Sequence, residues 1–191
     1  RVYSIAKQAK TFPDIEKFIN GRKCVIAGSS WPSDERFLYP FIERMPENYC
    51  LIMAPHDISE THLNQIQSHL KDYQLYTSLN PDIHNKVLVI NTIGVLSKIY
   101  IYARFAYIGG GFIASSIHNI QEAVIAGCPV VFGPRYKTFV EAVDLVALKG
   151  AFTINTQEDV DKIFDLLVND DDFLRKASKI CKEYVGRSIG A

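Results

Sequence analysis

Seven short apolar runs recur along the chain at a regular beat, and they restrict the possible folds more than any other feature. They are "CVIAG" (24–28), "CLIMA" (50–54), "QLYTS" (74–78), "VLVIN" (87–91), "FAYIG" (105–109), "PVVF" (129–132) and "AFTIN" (151–155). Most are continuous rather than alternating, the pattern of strands covered on both faces. The segments between them have helical length and cap chemistry at their edges. Ser33, with Asp34 and Glu35, opens one, and Ser59 opens another in which His62, Ile66 and His69 fall near helical spacing. Asn91-Thr92 leads into "GVLSKIYIYA", and Asn119 leads into "IQEAVIAG", which Gly127 closes. Thr156, with Asp159 three residues on, has the form of a capping box. "DDFLRKASKICKEYV" reads as a last amphipathic helix. Such alternation predicts right-handed crossovers and an α/β fold: a Rossmann-like, doubly wound parallel sheet flanked by helices. Residues 1–191 read as one such domain, weakest over 71–86, where a short strand meets a polar, Pro-bearing loop.

At 191 residues the chain can bury one sizeable core. Its 21 Lys and Arg balance 21 Asp and Glu, which argues against a nucleic-acid partner, since those need a basic excess. The cysteines Cys24, Cys50, Cys128 and Cys181 show no C-x-x-C spacing and sit mostly in or beside apolar runs. They read as reduced core cysteines of a cytoplasmic protein. No apolar run is long enough to span a bilayer. The chain starts at "RVYSIAKQ" without Met and stops at "GRSIGA", so a piece of a longer protein is expected.

Ligands of open parallel sheets bind beyond the carboxyl ends of the strands, which directs attention to the loops there. After the first run, Gly28, Ser29 and Ser30 offer backbone N–H groups and hydroxyls at a helix entrance, an anion cradle or a plain turn. After the second, His56 and Asp57 project from the strand end. After the fourth, Asn91 and Thr92 can cap a helix, and Gly94 allows close approach of a flat group. After the fifth comes "GGGFIASSIHNIQE" (109–122), where Gly109, Gly110 and Gly111 leave no side chain to block a ligand. His118 and Asn119 then fall at a helix N-terminus suited to phosphate, with Glu122 one turn in, at i, i+4 and i, i+3 spacing from them. A carboxylate there can accept from both hydroxyls of a ribose; the plain alternative has Glu122 capping its own helix. After the sixth, Arg135 and Lys137 add positive charge for a phosphate or carboxylate, or form a solvated basic loop. The five histidines form no set with ligand spacing, His62 and His69 lacking partners, so no metal is expected. Nucleotide binding fits these residues better than covalent catalysis.

This combination resembles a known family. The glycine-ended strand, the small loop, His118-Asn119-x-x-Glu122-Ala123 and "GCPVVFGP" resemble the C-terminal domain of bacterial 3-deoxy-D-manno-octulosonic acid (Kdo) transferases, which are GT-B glycosyltransferases. "VIAGSSWPSDE", "LIMAPHDISE" and "VLVINTIGVLSKIYIYARFAYIGGGF" resemble successive parts of that domain, and "RVYSIAKQAK" the segment after its interdomain linker. The resemblance implies a donor domain that binds CMP-Kdo in an enzyme glycosylating the lipid A precursor of lipopolysaccharide. By it, Gly110, Gly111, Ser116, His118, Asn119 and Glu122 bind the CMP moiety. Ser29 and Ser30 lie near the donor's phosphate or sugar, with Gly28 and His56 beside them, and Ile93-Gly94 lies against the cytosine. It further implies a separate N-terminal acceptor domain carrying a glutamate general base, inverting metal-independent transfer, inactivity of this part alone, and a parent on the cytoplasmic face of the inner membrane. Three positions depart from the family pattern: Pro55-His56-Asp57 for Pro-Arg-His, Asn91 for an acidic residue, and Ser116-Ile117 for a glycine pair. Two other expectations compete: a GT-B or epimerase domain using a UDP-sugar, and a non-catalytic nucleotide-binding module.

Overall fold

The structure, a computed structural model, describes residues 11–189; "RVYSIAKQAK" and its expected place after a linker lie outside the described residues. All seven apolar runs carry strands: β1 (Lys23–Ser30), β2 (Tyr49–Pro55), β3 (Tyr73–Leu75), β4 (Val87–Val89), β5 (Ala103–Ile108), β6 (Val130–Phe132) and β7 (Ala151–Thr153). They form one parallel sheet in the order β3-β4-β2-β1-β5-β6-β7. The chain winds outward from β1 through β2 to the β3 edge, then returns to β5 on the other flank of β1. That reversal opens a crevice between β1 and β5, the switch point at which such sheets bind ligands.

The helices are α1 (Pro13–Ile19), α2 (Pro32–Arg44), α3 (Glu60–His69), α4 (Leu96–Ile99), α5 (Gln121–Ile125), α6 (Val140–Leu148), α7 (Gln157–Asn169) and α8 (Asp171–Ile189). Both faces of the sheet are covered, which is why its strands read as continuous apolar runs. Cys24 and Ile26 of β1 point into one layer with α1, α5 and α6, while Val25 and Ala27 point into the other with α2, α3 and α7. In the second layer Phe164 of α7 sits edge-on to Phe41 and Phe105, with centroids 4.8 and 5.2 Å away. Losing such a ring costs about 3–5 kcal/mol. The four cysteines are free and buried, all in the first layer.

The local signals act much as their chemistry dictates. Thr156 and Asp159 form a reciprocal capping box, and Ser59 Oγ accepts from His62 N–H at the start of α3. Gly127 adopts φ +74° where α5 ends, closing the helix as expected. "QLYTS" is strand only to Leu75; Tyr76–Ser78 form a 3₁₀ turn. Asn91 does not cap α4, which begins five residues later. Its side chain bridges Thr77 instead, accepting from the backbone N–H and donating to Oγ1. Among the described residues no helix is long and apolar enough to cross a membrane.

Candidate functional site

The carboxyl ends of β1 and β5 meet through Asp34, on the first turn of α2. Its carboxylate is fully buried and accepts three hydrogen bonds: from Tyr107 OH at 2.7 Å, Trp31 N–H at 2.9 Å and Gly110 N–H at 3.0 Å. Burial pushes the carboxyl above its ordinary range, against the pull of those donors and of His118. Asp34 therefore does more than open a helix. It fastens the glycine loop to the end of β1.

The glycines themselves are required by the chain's own packing. A Cβ at Gly109 would lie 2.1 Å from Ser29 O, one at Gly110 2.5 Å from Ser116 O, and one at Gly111 2.5 Å from Gly133 Cα. Gly110 also adopts φ +94°. Backbone contacts hold the loop closed: Gly109 N–H donates to Gly28 O, His118 N–H to Gly109 O, Arg135 N–H to Gly111 O, and Ile117 N–H to Arg135 O. Arg135 thus contributes its backbone to the loop while its side chain, like that of Lys137, stays exposed.

Above this loop three rings gather. His56, at the end of β2, stacks on Trp31 and on His118, each with centroids 4.5 Å apart. The Trp31 indole Nε1–H donates to His118 Nε2 at 3.0 Å. Burial and the neighbouring His56 hold His118 below the ordinary imidazole value, with Asp34 pulling the other way. The structure therefore joins His56 and His118, expected from separate loops, and adds Trp31. Sequence reasoning passed over that residue; a lone Trp one place after the Ser-Ser pair was the available signal.

Other expected residues take different places. Ser30 is buried, and its hydroxyl donates to Glu35 Oε1 at 2.9 Å, so it is turned away from any ligand. Ser29, at φ +52°, remains half-exposed beside Gly109. Gly28 is buried under Tyr100, whose hydroxyl lies where a Cβ would stand. Ile93 (87% exposed) and Gly94 (φ +88°, with open space where a side chain would go) project from the loop after β4. Ser116 adopts φ +70° and sits within 3.5 Å of the Thr138 hydroxyl. Helix α5 is only five residues long and starts after His118 and Asn119, so helical spacing does not set these two against Glu122. Asn119 Oδ1 accepts from Gln121 N–H at 2.9 Å, occupying one of the N–H groups expected to face a phosphate. Glu122 is half-buried, and its carboxylate has no hydrogen-bond partner among the described residues. The alternative reading, self-capping, is therefore not seen, and burial raises its carboxyl above the usual range.

His62 has the partner that its spacing did not reveal. Its Nε2 lies 2.9 Å from Glu35 Oε2 and its Nδ1 2.7 Å from Asp57 O, so Ser30, Glu35 and His62 form a buried polar chain under the site. Burial pulls its pKa down, but Glu35 and Asp57 outweigh this and raise it. The described residues contain no group of three or more His, Cys, Asp or Glu that could hold a metal ion.

The strand order, two-faced cover and loops converging at the β1/β5 switch point define a Rossmann-like α/β domain, a fold shared with solved glycosyltransferase domains. The chain superposes on the C-terminal CMP-Kdo binding domain of WaaA from Acinetobacter baumannii with a TM-score of 0.77 at 16% identity, over 96% of this chain and 97% of that one. Anabaena HepE, solved with UDP and glucose, matches with a TM-score of 0.65 at 13% identity, over 96% of this chain and 50% of that one. By sequence, the chain is 24% identical over 148 residues to the 3-deoxy-D-manno-octulosonic acid transferase of Aquifex aeolicus, covering 75% of this chain and 41% of the relative. It is 25% identical over 174 residues to a bifunctional glycosyltransferase/methyltransferase of Fusobacterium nucleatum, covering 83% of this chain and 27% of the relative. No family model matches. The chain thus spans well under half the length of these curated relatives. By sequence its similarity is to Kdo transferases, and by fold to the C-terminal CMP-Kdo binding domain of WaaA.

Proposed function

We propose that this chain is the donor-binding domain of a Kdo transferase and holds CMP-Kdo at the β1/β5 crevice. The observation that carries the reading is Glu122: a half-buried carboxylate with no hydrogen-bond partner among the described residues, near enough to act on Tyr100, whose hydroxyl lies against Gly28 at the end of β1. A desolvated acceptor of this kind is best satisfied by paired hydroxyl donors, which a ribose supplies. Ser29, Gly110, Gly111, Ser116, His118 and Asn119 would border the nucleotide, Ile93-Gly94 would meet the base, and Arg135 and Lys137 would balance phosphate or carboxylate charge. In the parent enzyme, CMP leaves as an acceptor hydroxyl attacks the anomeric carbon; this domain holds the departing phosphate and a second domain supplies the base and the acceptor. The reaction needs no metal in this reading. The acceptor is the lipid A precursor, met at the cytoplasmic face of the inner membrane.

Calorimetric titration of the chain with CMP and UDP tests the proposal. Expected is a clear preference for CMP and at least tenfold weaker binding in Glu122→Ala. A preference for UDP would favour the competing reading, which the likeness to HepE supports. Binding indifferent to both Glu122→Ala and His118→Ala would leave a module whose site lies elsewhere.

A further inference from the structure

Trp31 is the only tryptophan of the chain, and its indole can donate but not accept. With Nε1–H directed at His118 Nε2 over 3.0 Å, His118 must be neutral and carry its proton on Nδ1. Nδ1 has no hydrogen-bond partner among the described residues, and the ring is only half-buried. His56 stacks against both rings and holds the indole edge in line. Below, the Asp34 carboxylate fixes the Trp31 and Gly110 backbones, and a Cβ on Gly110 would press within 3.1 Å of His118 Cδ2.

We propose that Trp31 is a positioning residue that sets the tautomer of His118, so that the site presents a neutral Nδ1–H donor, rather than an imidazolium, to an acceptor oxygen of the ligand. The inference rests on the nucleotide reading only for the ligand's identity; the tautomer is a property of the free chain. Protonating His118 would place two donors against each other at Nε2, so acid must part the indole from the imidazole. The ionisable groups facing His118 act in opposite senses: the neighbouring His56 opposes its protonation, and Asp34 favours it.

Long-range ¹H–¹⁵N spectra of the histidine-labelled chain read the tautomer directly. Expected in the ligand-free chain is a protonated Nδ1 and an unprotonated Nε2 on His118 at neutral pH. Trp31→Phe keeps the ring stack and removes only the donor; in it the His118 midpoint should rise by about one pH unit, and the Nε2–H tautomer should appear. Trp31 emission in the unsubstituted chain should change with the His118 midpoint, and that step should vanish in His118→Asn while persisting in His56→Asn. A wild-type Nε2–H tautomer, or a His118 midpoint unmoved in folded Trp31→Phe, overturns the proposal. A chain with the Nδ1–H tautomer that binds no CMP overturns the nucleotide reading and upholds this one.

Discussion

Replacing Asp34 separates the geometry of its oxygens from their charge. Asp34→Ala strips acceptors from the Tyr107 hydroxyl and from two backbone N–H groups, at 2.7, 2.9 and 3.0 Å. Hydrogen bonds to a charged group contribute about 1.5–3 kcal/mol each. Desolvating the carboxylate offsets part of that sum, so a net loss of about 3–5 kcal/mol follows. For a chain of this size the melting temperature should fall by about 6–20 °C. Asp34→Asn is nearly isosteric. Its oxygen can accept from Trp31 and Gly110 N–H while its amide donates to the Tyr107 oxygen, which limits the cost to about 1 kcal/mol. Urea denaturation gives both values, and hydrogen exchange at Gly110 reports the loop directly, with faster exchange in Asp34→Ala than in Asp34→Asn. Equal costs for the two variants would refute the reasoning, because the charge rather than the set of acceptors would then hold the loop. So would a loss below about 1 kcal/mol for Asp34→Ala.

Two further outcomes are expected. Gly109→Ala drives a Cβ to within 2.1 Å of a backbone carbonyl and should cost about 3 kcal/mol or more. Gly94→Ala meets open space and has only its φ of +88° to accommodate, for about 1–2 kcal/mol; denaturation midpoints rank the two, and equal losses would contradict the packing. The Glu35–His62 pair makes stability depend on pH. The folded chain holds the His62 proton more tightly than the unfolded chain, so its contribution is complete below the ordinary value of 6.5 and is lost as pH climbs through the raised one. Thermal melts from pH 6 upward should therefore show falling stability, a trend that His62→Gln flattens; an unchanged slope in that variant would assign the dependence elsewhere.

The sheet was legible because burial on both faces imposes uninterrupted apolar runs on most of its strands; the exception is β3, which is only half-buried and shares just Gln74 and Leu75 with "QLYTS". The short helix α1 was passed over although Pro13 stands at its first turn and Ile15, Phe18 and Ile19 line its buried face. Seven residues hold too few periods to stand out. Gly110 and His118 could be singled out in the sequence because glycine and His-Asn are chemically distinctive. What joins the site was not legible: Asp34 meets Gly110 across 76 residues, Trp31 meets His118 across 87, and Glu35 meets His62 across 27. The acidic pair read as a helix opening because that is all its immediate neighbours imply. Ser30 read as exposed for the same reason, since the carboxylate that turns it inward belongs to the next element.

The pairing of β1 with β5 has a consequence for how the molecule assembles. Gly28 lies opposite Ile108, so this seam closes a chain segment of about 80 residues, against about 26 for the β1–β2 seam, where Gly28 lies opposite Ala54. Loop-closure entropy must be met before the longer pairing is rewarded, which makes that seam the slower one to form. Ser29 and Trp31 stand at one end of the closure, and the glycine loop with His118 and Glu122 at the other. A chain that has paired only β1 with β2 therefore holds its Trp31–His56 stack without the partners that complete the crevice, and binding competence should appear together with the last long-range closure of the fold.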